Sequence, residues 1–267
     1  MATVSEMIDL IWRPPRKEPG VKMSRIDRKL PENFKYYRNW GFTIYRTYYN
    51  PESDKHWDML LDALKRQTYL ALGSYDDDDE YRNDVERRFG LNKRGSYQDY
   101  QDQDEYLDDL KRLKKRFHLD PREDPSLLDG LDVRRLREVC LDEHPEAEKT
   151  MAGRLFRFVL VADEAVLKGI AKSEFFVKAV SYDWTEIWDY WGWMRIPTGY
   201  LLELWHSLMM SGFNLNGVLC FDGPEEDLEE YIWPGDSAAN ASGRCSEVEP
   251  WSYRFNAMRP LFKVERS

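Results

Sequence analysis

The sequence predicts an α+β protein: a βαββαβ-like antiparallel sheet covered by helices, with a helical insertion and a basic N-terminal arm. Three observations lead there. Short stretches rich in Val, Ile, Phe and Tyr are interspersed with longer ones whose apolar residues recur every three or four positions. Stripped of insertions, the order reads strand, helix, strand, strand, helix, strand, which is the split βαββαβ unit. The glycine-rich strand-to-helix turns that a doubly wound parallel sheet uses are missing.

Residues 1–39 are rich in Pro, Lys and Arg without a sustained period, and are expected to form an extended arm with at most one short helix. Residues 40–267 are expected to form a single domain. Trp40–Tyr48 alternates as a first strand, and Asn50-Pro51 suits the cap and first position of a helix carrying Trp57, Leu60, Leu61, Leu64 and Leu72, ended by Gly73. Residues 74–105, with the run Asp76–Glu80, hold too few apolar side chains for a core and are expected to be a mobile acidic insertion. Helical spacing returns at Tyr106, Leu110, Leu113 and Phe117 and stops at Asp120-Pro121, then again over Asp132–Glu143. Leu155–Ala162 reads as a central strand, with Asp163 capping a helix over Glu164–Lys172. Phe175–Tyr182 and Trp193–Ile196 read as strands, Gly199–Met210 as a helix capped by Thr198, and Gly217–Phe221 as a last strand. Pro224–Tyr231 is an acidic helical turn, and residues 236–250 are a loop before a tail anchored by Trp251 and Phe255.

Composition narrows the function. The 267 residues carry a net charge of −10, against a generic nucleic-acid binder, yet residues 1–50 hold ten Lys or Arg and only five Asp or Glu. Cys140, Cys220 and Cys245 have no paired spacing and the four histidines are scattered, so neither a disulfide framework nor a zinc site is expected. There is no signal-peptide core at the N-terminus and no apolar run near membrane length, which predicts a soluble, cytoplasmic protein. The signatures of phosphate-binding loops, dinucleotide folds, serine hydrolases and zincins are all missing, and no cofactor is implied.

Carboxylates beside aromatics remain. The run Tyr182–Met194 packs four of the ten tryptophans into ten residues, interleaved with Asp183, Glu186 and Asp189, just after a strand. Indole walls lower the local dielectric, and carboxylates among them can bind a cation or serve in proton transfer. A guanidinium suits such a site, because it stacks on indole and pairs with a carboxylate through two hydrogen bonds. Core packing explains the same tryptophans as well. Asp163-Glu164 and the acidic turn holding Asp227 and Glu230 are further acids at strand ends, with Asp163 more suited to capping.

Three segments, Trp40–Thr47, Phe158–Glu164 and Gly192–Gly199, resemble those of the fungal arginine-containing cyclodipeptide synthases, a likeness spanning roughly residues 40–235. The resemblance implies an enzyme that takes aminoacyl groups from arginyl-tRNA and a second aminoacyl-tRNA and closes them into a diketopiperazine. It also implies a D-D-x-x-E motif. The literal match Asp76–Glu80 lies in the acidic insertion, and Glu226–Glu230 matches with Glu in place of the first Asp. On that reading the candidate catalytic acids are Asp163, Glu164, Asp183, Glu186, Asp227 and Glu230, and the arginine shelf is Tyr182, Trp184, Trp188 and Trp193. The tRNA phosphates would meet Arg13, Arg16, Lys17, Arg25, Arg28 and Lys29 of the arm and Lys111, Lys114 and Lys115 of the helix. The alternative is a non-catalytic module that binds a protein or small ligand through residues 182–194. The second amino acid and the oligomeric state are not legible.

Overall fold

The computed structural model describes residues 3–15, 26–73, 103–144, 157–185, 191–211 and 225–233. At its centre are strands β1 (Trp40–Arg46), β2 (Phe117–Arg122), β3 (Phe158–Ala162), β4 (Phe176–Ser181) and β5 (Trp193–Pro197), in the spatial order β2-β1-β3-β4-β5. The expected α+β class, with helices packed on a sheet, is what the structure has. The pairing is mixed, however: β1 runs parallel to β2 and β3, while β3–β4 and β4–β5 are antiparallel. The parallel pairs come from connections that pass through helices, which return the chain to the edge it left.

Strand β2 is the element the hydrophobic pattern does not announce. Phe-His-Leu-Asp-Pro-Arg has little alternation, and Pro121 removes a ladder donor. Proline is tolerated here because β2 is an edge strand. Its neighbour β1 approaches closely through Gly41, whose φ is +132°.

The register sorts the side chains into two faces. Ile44, Leu160, Ala179 and Met194 form one cross-strand row, and Tyr45, Val161, Lys178 and Arg195 form the next. Successive side chains alternate, so these rows face opposite ways. Helices α2 (Ser53–Ala71), α6 (Glu164–Ala171) and α7 (Leu201–Ser211) cover the first face, where Trp40 meets Trp205 edge-on at 5.6 Å. Helix α5 (Val133–Glu143) lies on the second: the Tyr45 hydroxyl donates to Glu143 at 2.7 Å, and Arg137 Nε donates to the Ser181 carbonyl at 3.0 Å. The sheet is thus covered on both faces, the second incompletely, which leaves room beside β4 and β5.

Local chemistry starts most of these helices. Asp132 and Asp163 cap α5 and α6, accepting from the Arg135 and Val166 amides at 2.8 and 3.0 Å. Asn50 shapes the turn before α2, its side chain accepting from the Glu52 amide at 3.1 Å, and the helix begins at Ser53. Thr198, expected to cap α7, instead opens a 3₁₀ turn and donates to Gln67 of α2 at 2.6 Å.

The described part of the segment read as a basic arm is packed. Thr3 and Glu6 form a capping box for α1 (Val4–Ile11), and Val4, Met7, Ile8 and Ile11 enter the core. Helix α1 docks on α3 (Gln103–Arg116), and Trp12 bridges Tyr37 in antiparallel fashion. A short helix α4 (Pro125–Leu128), capped by Asp124, follows β2. The expected strand 217–221, residues 74–102 of the acidic insertion, the loop 236–250 and the tail anchors Trp251 and Phe255 lie outside the described residues.

Candidate functional site: an indole-lined cleft beside β4

Lys178 stands in the middle of β4 on the face shared with Tyr45, and its side chain is buried. An ammonium taken from water needs counter-charge. Asp163, at the end of β3, supplies one oxygen at 2.8 Å, Glu229 supplies another, and the Trp193 ring lies beneath at 4.4 Å. Asp163 is thereby doubly engaged, one oxygen on the α6 cap and the other on Lys178.

Arg137 organises the neighbouring wall. Besides Ser181, it donates to the Trp191 carbonyl at 3.0 Å, and its guanidinium lies 4.5 Å from the Trp184 ring centre. One buried side chain therefore ties the end of β4 to the start of β5 across the aromatic run. Gly192 completes the closure: its φ is +71°, and a Cβ there would stand 2.3 Å from Trp184 Cγ.

Together these groups line a cleft of about 360 Å³. Its floor is Lys178 and Arg137, its walls are Trp184, Trp191 and Trp193, and Asp132, Arg134, Glu225 and Glu229 form its rim. Across the mouth Arg134 faces Glu225 at 3.9 Å. Glu225 and Glu229 arrive on residues 225–233, which dock on β5. Arg195 donates to the Glu229 carbonyl at 2.6 Å, and the Trp233 amide donates to the Arg195 carbonyl at 2.8 Å.

Among the residues expected to act, Asp163, Trp184 and Trp193 meet in this cleft. Tyr182 is fully buried behind it. Asp183 accepts from the Ser181 hydroxyl at 3.0 Å and faces Arg157 at 3.6 Å, outside the lining. Glu164 is exposed on α6 and pairs with Lys168 at 2.8 Å. Asp227 and Glu230 are exposed, and it is Glu229 between them that turns inward. Glu186 and Trp188 lie outside the described residues.

Sequence reasoning passed over Lys178 and Arg137. Lys178 carried a signal, a lone charge in the apolar stretch Phe-Val-Lys-Ala-Val, whereas Arg137 looked like one more cation on a basic helix.

The expected phosphate contacts fare unevenly. Arg28 is buried and pairs with Asp9 and, at 3.4 Å, with Asp109. Lys29 pairs with Glu105 at 2.5 Å and Lys111 with Asp108 at 3.4 Å. Arg13 and Lys115 are exposed and Lys114 is half-buried, while Arg16, Lys17 and Arg25 lie outside the described residues. Exposed Arg134 lines the cleft, exposed Arg135 follows it on α5, and exposed Arg157 stands before β3. Among the described residues, no three metal-ligating side chains cluster and no helix is long and apolar enough to cross a membrane.

No family model, no curated protein and no solved structure matches this chain, so the chemistry of the cleft has to be read from its own side chains.

Proposed function

We propose that this protein is a tRNA-dependent aminoacyl transferase that joins arginine to a second amino acid as a cyclic dipeptide, with the cleft seating the aminoacyl ends. The observation that supports it is the meeting of indole walls, buried cations and rim carboxylates in one cleft of about 360 Å³. That volume falls in the range of about 300–1,000 Å³ typical of small-molecule pockets. It suits groups the size of amino acids, with the tRNA bodies held outside. On this reading the phosphates of the entering ends would meet Arg134 at the rim, with Arg135 and Arg157 as further cations.

Peptide formation needs the α-amine of one aminoacyl ester, with an ordinary pKa of about 7.7–8.0, to lose a proton and attack the carbonyl carbon of the other. The new C–N bond forms as the ribose oxygen leaves with its electron pair, and a second attack of the same kind closes the ring and frees the second tRNA. Glu225 is the rim acid suited to accept the proton and return it to the leaving oxygen, because its ion pair to Arg134 is a long one at 3.9 Å. Asp163 positions Lys178. A substrate guanidinium would meet Asp132 and Glu229 at the rim, since the faces of Trp184 and Trp193 already carry Arg137 and Lys178.

That same occupancy favours a second reading, a ligand-binding module whose cations and indoles are fixed for recognition alone. Expression in a bacterial host with metabolite profiling separates the two. An arginine-containing diketopiperazine should accumulate with the wild-type chain and fall at least about a hundredfold with Glu225→Gln, the lower end of what a lost general base costs. Soluble protein without any such product would sink the transferase and leave the binding module.

A further inference from the structure

A second constellation lies away from the cleft, beside α7 on the opposite face of the sheet. Around the Trp12–Tyr37 bridge, the Arg13 amide donates to the Tyr36 carbonyl at 3.1 Å and the Arg38 amide donates to the Ile11 carbonyl at 3.0 Å. This register makes Arg13 and Arg38 diagonal neighbours pointing to the same side, a pairing within reach of long side chains. With Asn39, Trp205 and Met209 they line a small notch of about 10 Å³.

Among the described residues, the two guanidiniums lack the carboxylate that other clustered arginines have. Arg28, Arg46 and Arg112 each sit against at least one carboxylate, and Arg134 faces Glu225. Among the described residues no carboxylate pairs with Arg13 or Arg38, and Arg13 Nη1 makes a long contact to the Trp12 carbonyl at 3.4 Å. Partial desolvation, and after it the neighbouring Arg38 charge, hold the Arg13 guanidinium below its usual pKa range. Like charges kept side by side repel, and an anion between them would relieve both.

We propose that Arg13 and Arg38 form a clamp for a phosphate group, with the Asn39 amide beside them as a neutral donor. The choice of phosphate follows from geometry. One guanidinium fork satisfies the two oxygens of a carboxylate, whereas a tetrahedral phosphate presents further oxygens that a second fork can take. No part of this depends on the cleft, which lies on the other face.

The test is titration of the full chain with inorganic phosphate at constant ionic strength, followed by calorimetry. Wild type should bind one equivalent saturably. Arg13→Met and Arg38→Met should each weaken binding by about tenfold or more, the scale of a lost charge-assisted hydrogen bond. Lys55→Met, which removes an equal charge from an exposed site on α2, should change it by less than about twofold, as a distant screened charge does. Far-UV circular dichroism checks that each variant is folded. No saturable binding, or equal affinity in the Arg13→Met/Arg38→Met double variant, would overturn the clamp. So would undiminished affinity in Arg13→Lys, which keeps the charge but loses the fork. Competition then names the source: displacement by an unphosphorylated-end single-stranded RNA assigns a backbone phosphodiester, and displacement by a nucleoside monophosphate alone assigns a small phosphorylated ligand.

Discussion

Lys178 and Gly192 show how single positions hold the cleft. Lys178 is buried, but its partners are not: the Asp163 side chain is about one-quarter exposed and that of Glu229 about half. Both acids can be rehydrated if the ammonium is removed, so Lys178→Met should cost about 1–3 kcal/mol, less than the loss of a fully buried partner. Urea unfolding measures that cost, and faster amide exchange at residues 225–233 should accompany it because Glu229 loses its anchor. Unchanged exchange there would mean that Arg195 alone docks the segment. Gly192→Ala acts differently. It forces a side chain into a left-handed conformation and against Trp184, and should destabilise by at least about 2 kcal/mol with altered near-UV dichroism of the indoles. A neutral Gly192→Ala would show that Trp184 does not pack there.

At the scale of elements, what was legible in the sequence divides by whether a signal is local. Asp163 could be read as a cap because a carboxylate three residues before a free amide needs nothing else. Thr198 reads as a cap on the same local signal, but its hydroxyl answers Gln67 from a different helix. The stripe Val4, Met7, Ile8, Ile11 has helical spacing, but the basic residues after it dominated the composition and suggested an arm. In the cleft, Trp184, Trp193 and Asp163 were legible as aromatics and an acid at strand ends. Lys178 and Glu229 meet across a separation of 51 residues, which no local pattern announces. Strand β2 was hidden for the same reason, since β1 gives it its identity. The contact between them is tight enough to test: a Cβ on Gly41 would stand 1.9 Å from the His118 carbonyl oxygen. Gly41→Ala should therefore push β2 off the sheet edge, with amide exchange rising across Phe117–Arg122 while β3 and β4 stay protected. Exchange that rises uniformly would mean the sheet unfolds as one unit.

Across the whole molecule, one layer joins the N-terminal segment to the body. Helix α1, the 3₁₀ turns Ile26–Lys29 and Pro31–Tyr36, and α3 surround a network in which Arg28 links Asp9 to Asp109, and Asp109 pairs with Arg112. Tyr37 sits inside this network, its ring 4.9 Å from Trp12 and its hydroxyl donating to the Arg28 carbonyl at 3.2 Å. Burial pushes the Tyr37 hydroxyl up from 10.0 to about 12, against the opposing pull of Arg112. A pKa higher in the folded than in the unfolded chain means that folding favours the protonated phenol. The stabilisation is therefore fully present below about pH 10, declines as pH rises toward 12 and is gone above it. Two units correspond to about 2–3 kcal/mol. The informative quantity is the difference between wild type and Tyr37→Phe, which keeps the ring and removes the ionisable group. Tyr37→Phe should be the less stable chain at pH 8 by about 1 kcal/mol, the worth of the lost hydrogen bond. The two urea-unfolding free energies should then converge and cross between pH 10 and 12, because only the wild type must bury or release a phenolate. Parallel pH profiles would place Tyr37 in contact with water and undo the account of how α1 is held to α3.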